Sequence, residues 1–268
     1  MGSSTVPTTF ETEYSQFMES VSTLLPINLH CYNPKQMERR IRDLARKHQA
    51  QDLLTFATML RANREILREF EQHITINVSE FYRNPEAFDY LAQRVIEPMK
   101  ARQPGVKVWS AGCSNGAEAY TIAMLLLEAM PGRRHTIYAT DIDRAMLDKA
   151  KLGAGYIQDD IRALPLRLRD KYMARDGTTF KVAEEPARMV RFDRHDLLRD
   201  KVQQTFDLVA CRNVVIYFTD EAKADLYYKF AEALDPGGML FIGATETISR
   251  PGDYGLRYIA PCFYKKAP

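Results

Sequence analysis

The segment Val106–Tyr120, with the sequence VKVWSAGCSNGAEAY, has the residue types of a nucleotide-binding loop. An apolar run ends in a loop that contains Gly112 and Gly116, and a helical pattern begins directly afterwards. Glycine accepts positive φ angles and lets a backbone approach a ligand closely. Open α/β sheets bind their ligands beyond the carboxyl ends of their strands. The segment therefore predicts a strand, a tight turn and a helix that together bind a nucleotide.

Two acidic residues narrow the class of nucleotide. Asp141 ends the next apolar run, where a carboxylate can accept hydrogen bonds from both hydroxyls of a ribose. The glycines are spaced G-x-x-x-G, unlike the G-x-G-x-x-G of dinucleotide sites, and Glu118 in the first helical turn would repel a pyrophosphate. S-adenosylmethionine fits, because it has a ribose, no phosphate and a cationic sulfonium. The alternative is an ordinary turn with a solvated acid.

Hydrogen-bonding side chains also occur in the segment Ile74–Asn84. Asn77, Ser79 and Arg83 lie within seven residues of one another, beside two aromatic residues. A proline follows directly, so the segment is predicted to be a linker between two parts of the chain. Inter-domain packing and a binding site explain this pattern equally well.

Composition and charge exclude several classes of protein. The chain has 268 residues, 46% of them hydrophobic, so it can bury the core of one large or two modest domains. Its four cysteines show no C-x-x-C pair, which indicates no disulfide framework, no metal site and a reducing cytoplasmic compartment. No apolar run suits a signal peptide or a membrane span. The net charge is +2, and the basic residues cluster in a local patch at Lys35–Lys47, which argues against a general nucleic-acid binder.

The first 75 residues predict an all-helical domain behind a polar, disordered leader over residues 1–12, so that the domain covers 13–75. In the second helix, Lys35, Arg39, Arg42 and Arg46 recur on one face, away from an apolar stripe. This face is either a solvated surface or a docking surface for an acidic partner. Apolar periodicity places the four helices at Tyr14–Leu25, Pro34–Lys47, Asp52–Asn63 and Arg64–Thr75.

Beyond Pro85, helices and strands alternate, which predicts a doubly wound α/β sheet. We expect a linker over 76–85 that contributes to the active site, and a sheet domain over 86–268 with a small β insertion at about 172–191. The predicted helices are Pro85–Lys100, Ala117–Met130, Arg144–Leu152, a helix-like stretch over 160–174, and Asp220–Leu234. The predicted strands are Val106–Ser110, Thr136–Thr140, Thr178–Glu184, Met189–His195, Phe206–Cys211, a strand after the turn DPGG, and Arg257–Tyr264.

Three motifs together are specific to one family. They are NVSEFYR at Asn77–Arg83, AGCSNGAEAY at Ala111–Tyr120 and CRNVVIYF at Cys211–Phe218. With them, the chain resembles the chemotaxis receptor methyltransferases, the CheR family, from about residue 13 onwards. The resemblance implies a Rossmann-like methyltransferase sheet and an all-helical N-terminal domain. It also implies methyl transfer from S-adenosylmethionine to glutamate side chains of chemoreceptors, with S-adenosylhomocysteine as the second product.

The resemblance further implies a set of cofactor-binding residues. Three positions depart from the usual family pattern. Ser79 replaces Thr and keeps the hydroxyl, Asp196 replaces a frequent Asn, and NGAEA at residues 115–119 replaces Thr-Gly-Glu-Glu-Pro and keeps only the second acid. The implied cofactor-binding residues are Asn77, Ser79, Arg83, Glu118, Asp141, Asp196, Leu197, Arg212 and Asn213.

Arg83 and Tyr217 are the candidate catalytic residues. The side chain of a substrate glutamate, with a pKa of about 4.3 in water, is already ionised at pH 7, so no general base is needed. Aligning that carboxylate with the sulfonium methyl group can lower the barrier by about 7–11 kcal/mol. The guanidinium of Arg83 can grip the carboxylate of the substrate or of the cofactor with two hydrogen bonds. Tyr217 is the second candidate because it follows the fourth strand.

Two other functions compete with this one. A methyltransferase of the same fold could act on another protein or on a nucleic acid. Base methylases, however, carry an Asn/Asp-Pro-Pro-aromatic motif after the fourth strand, where this chain has RNVV at residues 212–215. The second competitor is a cofactor-binding sensor without turnover.

The expected partner is the cytoplasmic helical domain of chemoreceptors, bound through the basic face of the second helix. We expect a cytoplasmic monomer that is recruited to membrane receptors, without nucleic acid and without insertion into the membrane. The short connection over residues 175–179 has a single glycine. It favours docking that does not depend on the receptor tail.

Overall fold

The computed structural model describes residues 9–25, 27–75, 77–101 and 105–267, which form two compact units. The first unit contains the described residues through Thr75 together with Tyr217–Ala222. The second begins at Asn77, runs to Ile216 and resumes at Lys223. Residues 1–8 of the expected leader lie outside the described residues, and the first helix begins at Thr9.

Four helices form the first unit, and polar residues define where three of them begin. Asn33 accepts a hydrogen bond from the backbone N–H of Gln36, directly before a proline that suits the first helical position. Asp52 and Asn63 cap the next two helices in the same way. The first helix begins and ends earlier than predicted, whereas the second has its predicted bounds. The helices are α1 Thr9–Val21, α2 Pro34–Lys47, α3 Leu53–Ala62 and α4 Arg64–Ile74.

Three fully buried phenylalanines form the centre of the first unit. Phe17 of α1 stacks on Phe56 of α3 with ring centroids 6.1 Å apart, and Phe70 of α4 meets both rings edge-on. Edge-to-face and offset contacts are the arrangements that aromatic rings prefer. The apolar positions predicted from helical periodicity therefore do converge in one core.

The segment Tyr217–Thr219 belongs to the first unit through its backbone. The N–H of Asn33 donates to the carbonyl of Tyr217 at 2.8 Å, and the N–H of Thr219 donates to the carbonyl of Cys31 at 2.8 Å. Between them, Phe218 packs edge-on against Tyr32. Sequence periodicity gave no indication of this pairing, because the two segments are far apart in the chain.

The second unit is built on a seven-stranded sheet with the order β5-β2-β1-β6-β7-β9-β8. Its first five strands are parallel, and β9 pairs antiparallel with both β7 and β8. This confirms the predicted doubly wound, Rossmann-like α/β sheet. The strands are β1 Lys107–Ala111, β2 Thr136–Asp141, β3 Met173–Asp176, β4 Thr179–Val182, β5 Val190–Arg194, β6 Phe206–Cys211, β7 Leu234–Ile242, β8 Leu256–Ala260 and β9 Phe263–Lys266.

The helices of the second unit follow the predicted alternation with one irregular segment. The expected helix Pro85–Lys100 begins as an α-helix, continues as a π-helical turn over Leu91–Ile96 and ends as a 3₁₀ turn over Glu97–Ala101. Pro98 has no N–H to donate to a carbonyl in the preceding turn, so the regular α-helical pattern cannot continue. The α-helices are α5 Pro85–Tyr90, α6 Ala117–Ala129, α7 Arg144–Leu152, α8 Leu166–Tyr172, α9 Glu184–Ala187 and α10 Asp220–Ala233, the last of which crosses the boundary between the units.

The small β insertion is a separate hairpin of β3 and β4. The prediction of a helix-like stretch over 160–174 was wrong at both ends, because the helix begins only at Leu166 and Met173 already pairs with Val182 in the hairpin. The predicted strand Met189–His195 is confirmed as β5, which pairs with β2 and forms the edge of the main sheet. The hairpin therefore ends at Val182.

Two predictions near the C-terminal end were wrong. The residues DPGG do not precede the fifth strand as a turn, because Leu234 already pairs with Phe206 and regular pairing resumes at Met239, which leaves the residues between them as a bulge in β7. The single late strand Arg257–Tyr264 is instead an antiparallel pair, β8 and β9. Between these strands Cys262 adopts a positive φ of 71°, which reverses the chain.

A buried tryptophan aligns the central strands. Trp109 of β1 packs between Phe206 and Phe230, and its Nε1 donates to the Oγ1 of Thr140 on β2 at 2.9 Å. All six residues of β6 are buried, as expected for a parallel strand with both faces covered. These contacts fix the carboxyl ends of β1, β2 and β6 at one edge of the sheet, where the candidate residues lie.

Candidate functional site

The glycine loop joins β1 to α6 as predicted. Gly112 and Gly116 adopt φ angles of +80° and +84°, which favour glycine. The N–H groups of Gly112 and Cys113 both donate to the carbonyl of Thr140, at 2.8 and 2.9 Å, so the loop folds over the end of β2. A Cβ atom on Gly112 would lie 2.6 Å from Cγ2 of Val214. Any larger residue at position 112 would therefore meet the side chain of Val214, in the loop that follows β6.

Asp141 lies at the carboxyl end of β2, as the ribose hypothesis requires. Only 9% of its surface is exposed. Its Oδ2 accepts the N–H of Ser114 at 2.7 Å and its Oδ1 accepts the N–H of Asp143 at 2.9 Å. Burial raises the pKa of Asp141, and these N–H groups oppose part of that rise. A carboxylate has about four acceptor positions, so two remain for the hydroxyls of a ribose.

Asn77 contacts Asp143, an acid near Asp141 that was not among the predicted site residues. Its Nδ2 donates to Oδ2 of Asp143 at 2.7 Å, while Oδ1 of Asp143 accepts the N–H groups of Ala145 and Met146 and so caps α7. Asp143 could have been recognised from the sequence, because an acid just before a helical pattern is a capping signal. The structure therefore brings Asn77 to the loop that holds Asp141.

Glu118 forms a charged cluster at the start of α6. Its Oε1 accepts a hydrogen bond from Oγ of Ser110 at 2.8 Å, and its Oε2 lies 3.7 Å from Nη1 of Arg212. Burial raises the pKa of Glu118, and the positive charge of Arg212 opposes this rise. Only 2% of the Arg212 side chain is exposed, which lowers the pKa of its guanidinium. Glu118 and Arg212 were each predicted as site residues, but their ion pair was not predicted.

Arg212 also binds the segment that contains Arg83. Its Nη2 donates to the carbonyl of Arg83 at 2.8 Å and to Oδ1 of Asn84 at 2.9 Å. Its guanidinium lies between Phe88 and Phe241, 4.9 and 4.5 Å from their ring centroids. Its Nε is buried and has no hydrogen-bond partner among the described residues.

The segment that follows Asn77 turns back on itself. The Nη1 of Arg83 donates to the carbonyl of Val78 at 2.9 Å, and Tyr82 and Asn84 have positive φ angles of 58° and 61°. Ser79 and Arg83 are both half-buried. Arg83 therefore has a defined position but keeps donors for a further partner.

Asp196 and Leu197 follow β5 and are both 7% exposed. The carboxylate of Asp196 accepts the N–H of Leu198 at 2.9 Å, and the N–H of the preceding residue, His195, donates to the carbonyl of Asp141 at 3.0 Å. The carbonyl of Leu197 accepts a hydrogen bond from Lys229. The structure therefore places this pair beside the end of β2.

Asn213 follows Arg212 and adopts a left-handed φ of 58°. Its Oδ1 is buried and has no hydrogen-bond partner among the described residues. The adjacent N–H of Val214 donates to Oε1 of Glu246 at 3.0 Å, and the N–H of Gly243 donates to Oε2 at 2.5 Å. Glu246 was not predicted. Its position shortly after an apolar strand was the available signal, the same one that identified Asp141.

Tyr217 is not in the same unit as the other candidates. It ends the 3₁₀ turn Val215–Tyr217 and is assigned to the helical unit. There it lines a small pocket together with Tyr32, Gln36 and Arg40.

The predicted basic face of α2 divides into two pairs. Arg42 is half-buried and lies 3.0 Å from Glu13 and 2.9 Å from Glu38, and Arg46 pairs with Asp43. Lys35 and Arg39 are exposed, and no ion pair connects either one to another described residue. Only this second pair offers its full charge to a partner.

The second unit has the groups that S-adenosylmethionine requires. A buried carboxylate with spare acceptor positions suits a ribose, and the unpartnered Oδ1 of Asn213 can accept a hydrogen bond. Within the described ranges, no cluster of His, Cys, Asp or Glu could hold a metal ion. No helix in the described part of the chain has the length and hydropathy needed to cross a bilayer.

Two family models match the chain in sequence order. The model of the CheR methyltransferase all-alpha domain matches residues 12–75, and that of the CheR methyltransferase SAM-binding domain matches residues 77–256. The second match confirms the prediction of S-adenosylmethionine as the cofactor. Together the two matches cover most of the chain.

Whole-length relatives agree with the family models. A chemotaxis protein methyltransferase of Listeria monocytogenes is 38% identical over 257 residues, which span 96% of this chain and 98% of the relative. A chemotaxis protein methyltransferase of Borreliella burgdorferi is 32% identical over 95% of this chain and 94% of its own length. A TehB-like SAM-dependent methyltransferase structure from Corynebacterium glutamicum is 17% identical, with a TM-score of 0.37 over 68% of this chain and 93% of that one.

Proposed function

The chain belongs to the CheR methyltransferase family, and we propose that it transfers the methyl group of S-adenosylmethionine to glutamate side chains of chemoreceptors. The products are glutamate 5-O-methyl esters and S-adenosylhomocysteine. The observation that carries this proposal is the 38% identity to a chemotaxis protein methyltransferase over nearly the whole of both chains. The buried carboxylate of Asp141 beneath the glycine loop supports the same function, because it suits the ribose of the cofactor.

The residues of the second unit have distinct roles toward the cofactor. Asp141 accepts hydrogen bonds from the ribose hydroxyls, and Asp196 with Leu197 binds the adenine end. Glu118 favours the cationic end of the cofactor, because its carboxylate is held in place by Ser110 and Arg212. Asn77 and Ser79 add polar contacts, and Asn213 supplies a buried acceptor.

The substrate side chain needs alignment more than activation. When bound, S-adenosylmethionine supplies an electrophilic methyl group on a sulfonium. A glutamate carboxylate attacks without a general base, because its pKa of about 4.3 leaves it ionised at pH 7. Arg83 holds a carboxylate of the substrate or of the cofactor with its remaining donors, and Tyr217 helps to orient the substrate.

The direct test is methylation of receptors in their membranes. Purified protein is incubated with S-adenosylmethionine labelled on the methyl group and with receptor-rich membranes, and the label is then tested for release by mild alkali. Methyl esters of glutamate are labile to alkali, whereas methylated amines and bases are stable. Alkali-stable label, or label in nucleic acid, would contradict the proposal, and cofactor binding without any label would favour a sensor.

The receptor surface of the protein is the basic side of α2. Lys35 and Arg39 are exposed and can attract an acidic helical bundle, while Arg42 and Arg46 lie beside them in ion pairs. The protein works as a monomer in the cytoplasm and is recruited to receptors in the membrane.

The β3–β4 hairpin favours docking that is independent of the receptor tail. Asp176 pairs directly with Thr179, so the connection is a two-residue turn with Gly177 at a φ of +61°. Such a tight turn leaves little loop to shape a groove for an added strand. Titrating a pentapeptide from a receptor tail should give no heat of binding, and tail-truncated receptors should be methylated at the rate of full-length ones. Micromolar binding of the peptide would contradict this.

A further inference from the structure

Glu246 is a buried carboxylate that the reaction described above does not use. Only 6% of its surface is exposed, and it follows β7 in the segment GATETIS. Its two oxygens accept backbone N–H groups from two different loops, Val214 at 3.0 Å and Gly243 at 2.5 Å. Backbone N–H groups of Asn213 and Ile216 lie close enough to lower its pKa as well, although burial raises it overall. One side chain thus collects most of the amides of the turn after β6.

The loops that Glu246 joins leave almost no free space. A Cβ atom on Gly243 would lie 2.8 Å from the backbone nitrogen of Asn213 and 3.0 Å from its Nδ2. On the opposite side, a Cβ on Gly112 would meet Val214 at 2.6 Å. The turn at Asn213 and Val214 is therefore enclosed between the glycine loop after β1 and the loop after β7.

The conformation of Asn213 needs such support. Its left-handed φ of 58° is unfavourable for a residue with a side chain, although asparagine tolerates it better than most. Its Oδ1 is buried without a partner, which is also unfavourable in isolation. Strained and unsatisfied groups persist where the surroundings hold them firmly, and they cluster at ligand sites. Glu246 provides this support by accepting the N–H of Val214, the residue after Asn213.

We propose that Glu246 is a positioning residue of the cofactor site. Glu246 accepts the backbone N–H groups of Val214 and Gly243. These two hydrogen bonds keep Asn213 in the left-handed conformation and keep its Oδ1 available to a hydrogen-bond donor of S-adenosylmethionine. Glu246 itself acts through Asn213 and does not touch the cofactor. This inference rests on the proposed binding role of Asn213.

The test compares Glu246→Gln with Asp207→Asn, a matched control. Asp207 is also buried and also accepts a backbone N–H, that of Lys107 at 2.9 Å, but it lies at the opposite end of β6. A glutamine has one acceptor oxygen, so either Val214 or Gly243 loses its partner. Affinities for S-adenosylmethionine and for S-adenosylhomocysteine are measured by calorimetry, and stability by thermal unfolding.

We expect Glu246→Gln to lower the affinity for both ligands by about tenfold. The lost hydrogen bond to a charged group misplaces Oδ1 of Asn213, the acceptor that both ligands use. Asp207→Asn should lower the unfolding temperature without changing either affinity. Glu246→Asp, which keeps the charge but is too short to reach both loops, should also weaken both ligands alike, and it replaces the glutamine variant if that one does not fold.

Two results would overturn the inference. If Glu246→Gln lowers only the unfolding temperature, like the control, its role is structural. If it weakens S-adenosylmethionine and leaves S-adenosylhomocysteine unchanged, its negative charge acts directly on the sulfonium and not through Asn213. Wild-type protein that binds neither ligand would instead contradict the cofactor assignment on which the proposed function depends.

Discussion

The Nη2 of Arg212 donates a hydrogen bond to the carbonyl oxygen of Arg83 at 2.8 Å, although 129 residues separate the two in the chain. The same guanidinium lies beside Glu118 and is almost completely buried. Arg212 therefore connects the end of β6, the start of α6 and the segment of Arg83. Its hydrogen bonds hold that segment beside the end of β6.

Replacing Arg212 with lysine should therefore affect both folding and turnover. Lysine keeps the charge near Glu118 but has no planar fork to reach Arg83 and Asn84 at once. We expect a loss of about 1.5–3 kcal/mol in the free energy of unfolding, measured with urea, because buried hydrogen bonds to a charged group are lost. Turnover should fall more than cofactor affinity. A variant with unchanged turnover would show that the position of Arg83 does not depend on Arg212.

Asp141→Ala should lower the affinity for S-adenosylmethionine by about tenfold or more. A charged acceptor for ribose hydroxyls contributes about 1.5–3 kcal/mol. Calorimetry measures the affinity, and urea unfolding measures how much of the effect comes from the lost N–H contacts of Ser114 and Asp143. Unchanged affinity in a folded variant would remove the ribose assignment.

Arg83→Ala should lower turnover much more than stability. The side chain makes one described hydrogen bond, to the carbonyl of Val78, and is half-buried, so its removal leaves the core intact. The proposed role is alignment at the reacting centre, which appears in the rate. Arg162→Ala is the control, since Arg162 is an exposed arginine that pairs with Glu80 nearby. Nearly normal initial rates on receptor membranes for Arg83→Ala would exclude the role.

Protonation of His135 should destabilise the fold below about pH 6.5. Its Nδ1 accepts the N–H of Val106 at 3.1 Å, so its Nε2 carries the proton and donates to the carbonyl of Met130. Burial lowers the pKa of His135 in the folded state. The unfolded chain therefore binds this proton first as the pH falls, and stability is lost by up to about 1.4 kcal/mol per pH unit between the two pKa values.

His135→Gln keeps an acceptor for Val106 but does not titrate, so it should lose less stability than the wild type between pH 7.5 and pH 5. Urea unfolding at both values measures this difference. Other buried groups titrate in both proteins, so their effects cancel in the comparison. Equal losses in the two proteins would show that His135 is not the source.

Charge reversal on α2 should reduce receptor binding without unfolding the protein. The double variant Lys35→Glu and Arg39→Glu changes two exposed residues. It should bind receptor membranes more weakly, and its binding should depend less on salt concentration. The matched control is Arg64→Glu with Arg68→Glu, two exposed arginines on α4. If both double variants bind receptor membranes equally well and with the same salt dependence as the wild type, the basic face is only a solvated surface.

The sequence by itself determined the parts of the site that depend on local patterns. Gly112, Gly116 and Asp141 were recognisable because strand ends, glycine spacing and the first helical turn are encoded by neighbouring residues. The alternation of helices and strands determined the sheet in the same way. The motif at Cys211–Phe218 was decisive for the family, since motif residues are read directly from the chain.

Tertiary structure alone decided which of these residues meet and how. The role of Arg212 could not be read locally, because its partners lie at Arg83, Glu118 and Phe241, far away in sequence. The pairing of β5 with β2 at the edge of the main sheet depends on competition between strands for partners. The sequence places Glu246 shortly after an apolar strand, but only the folded structure shows that its buried carboxylate binds two loops. Long-range hydrogen bonds and burial are properties of the folded chain, and no local pattern encodes them.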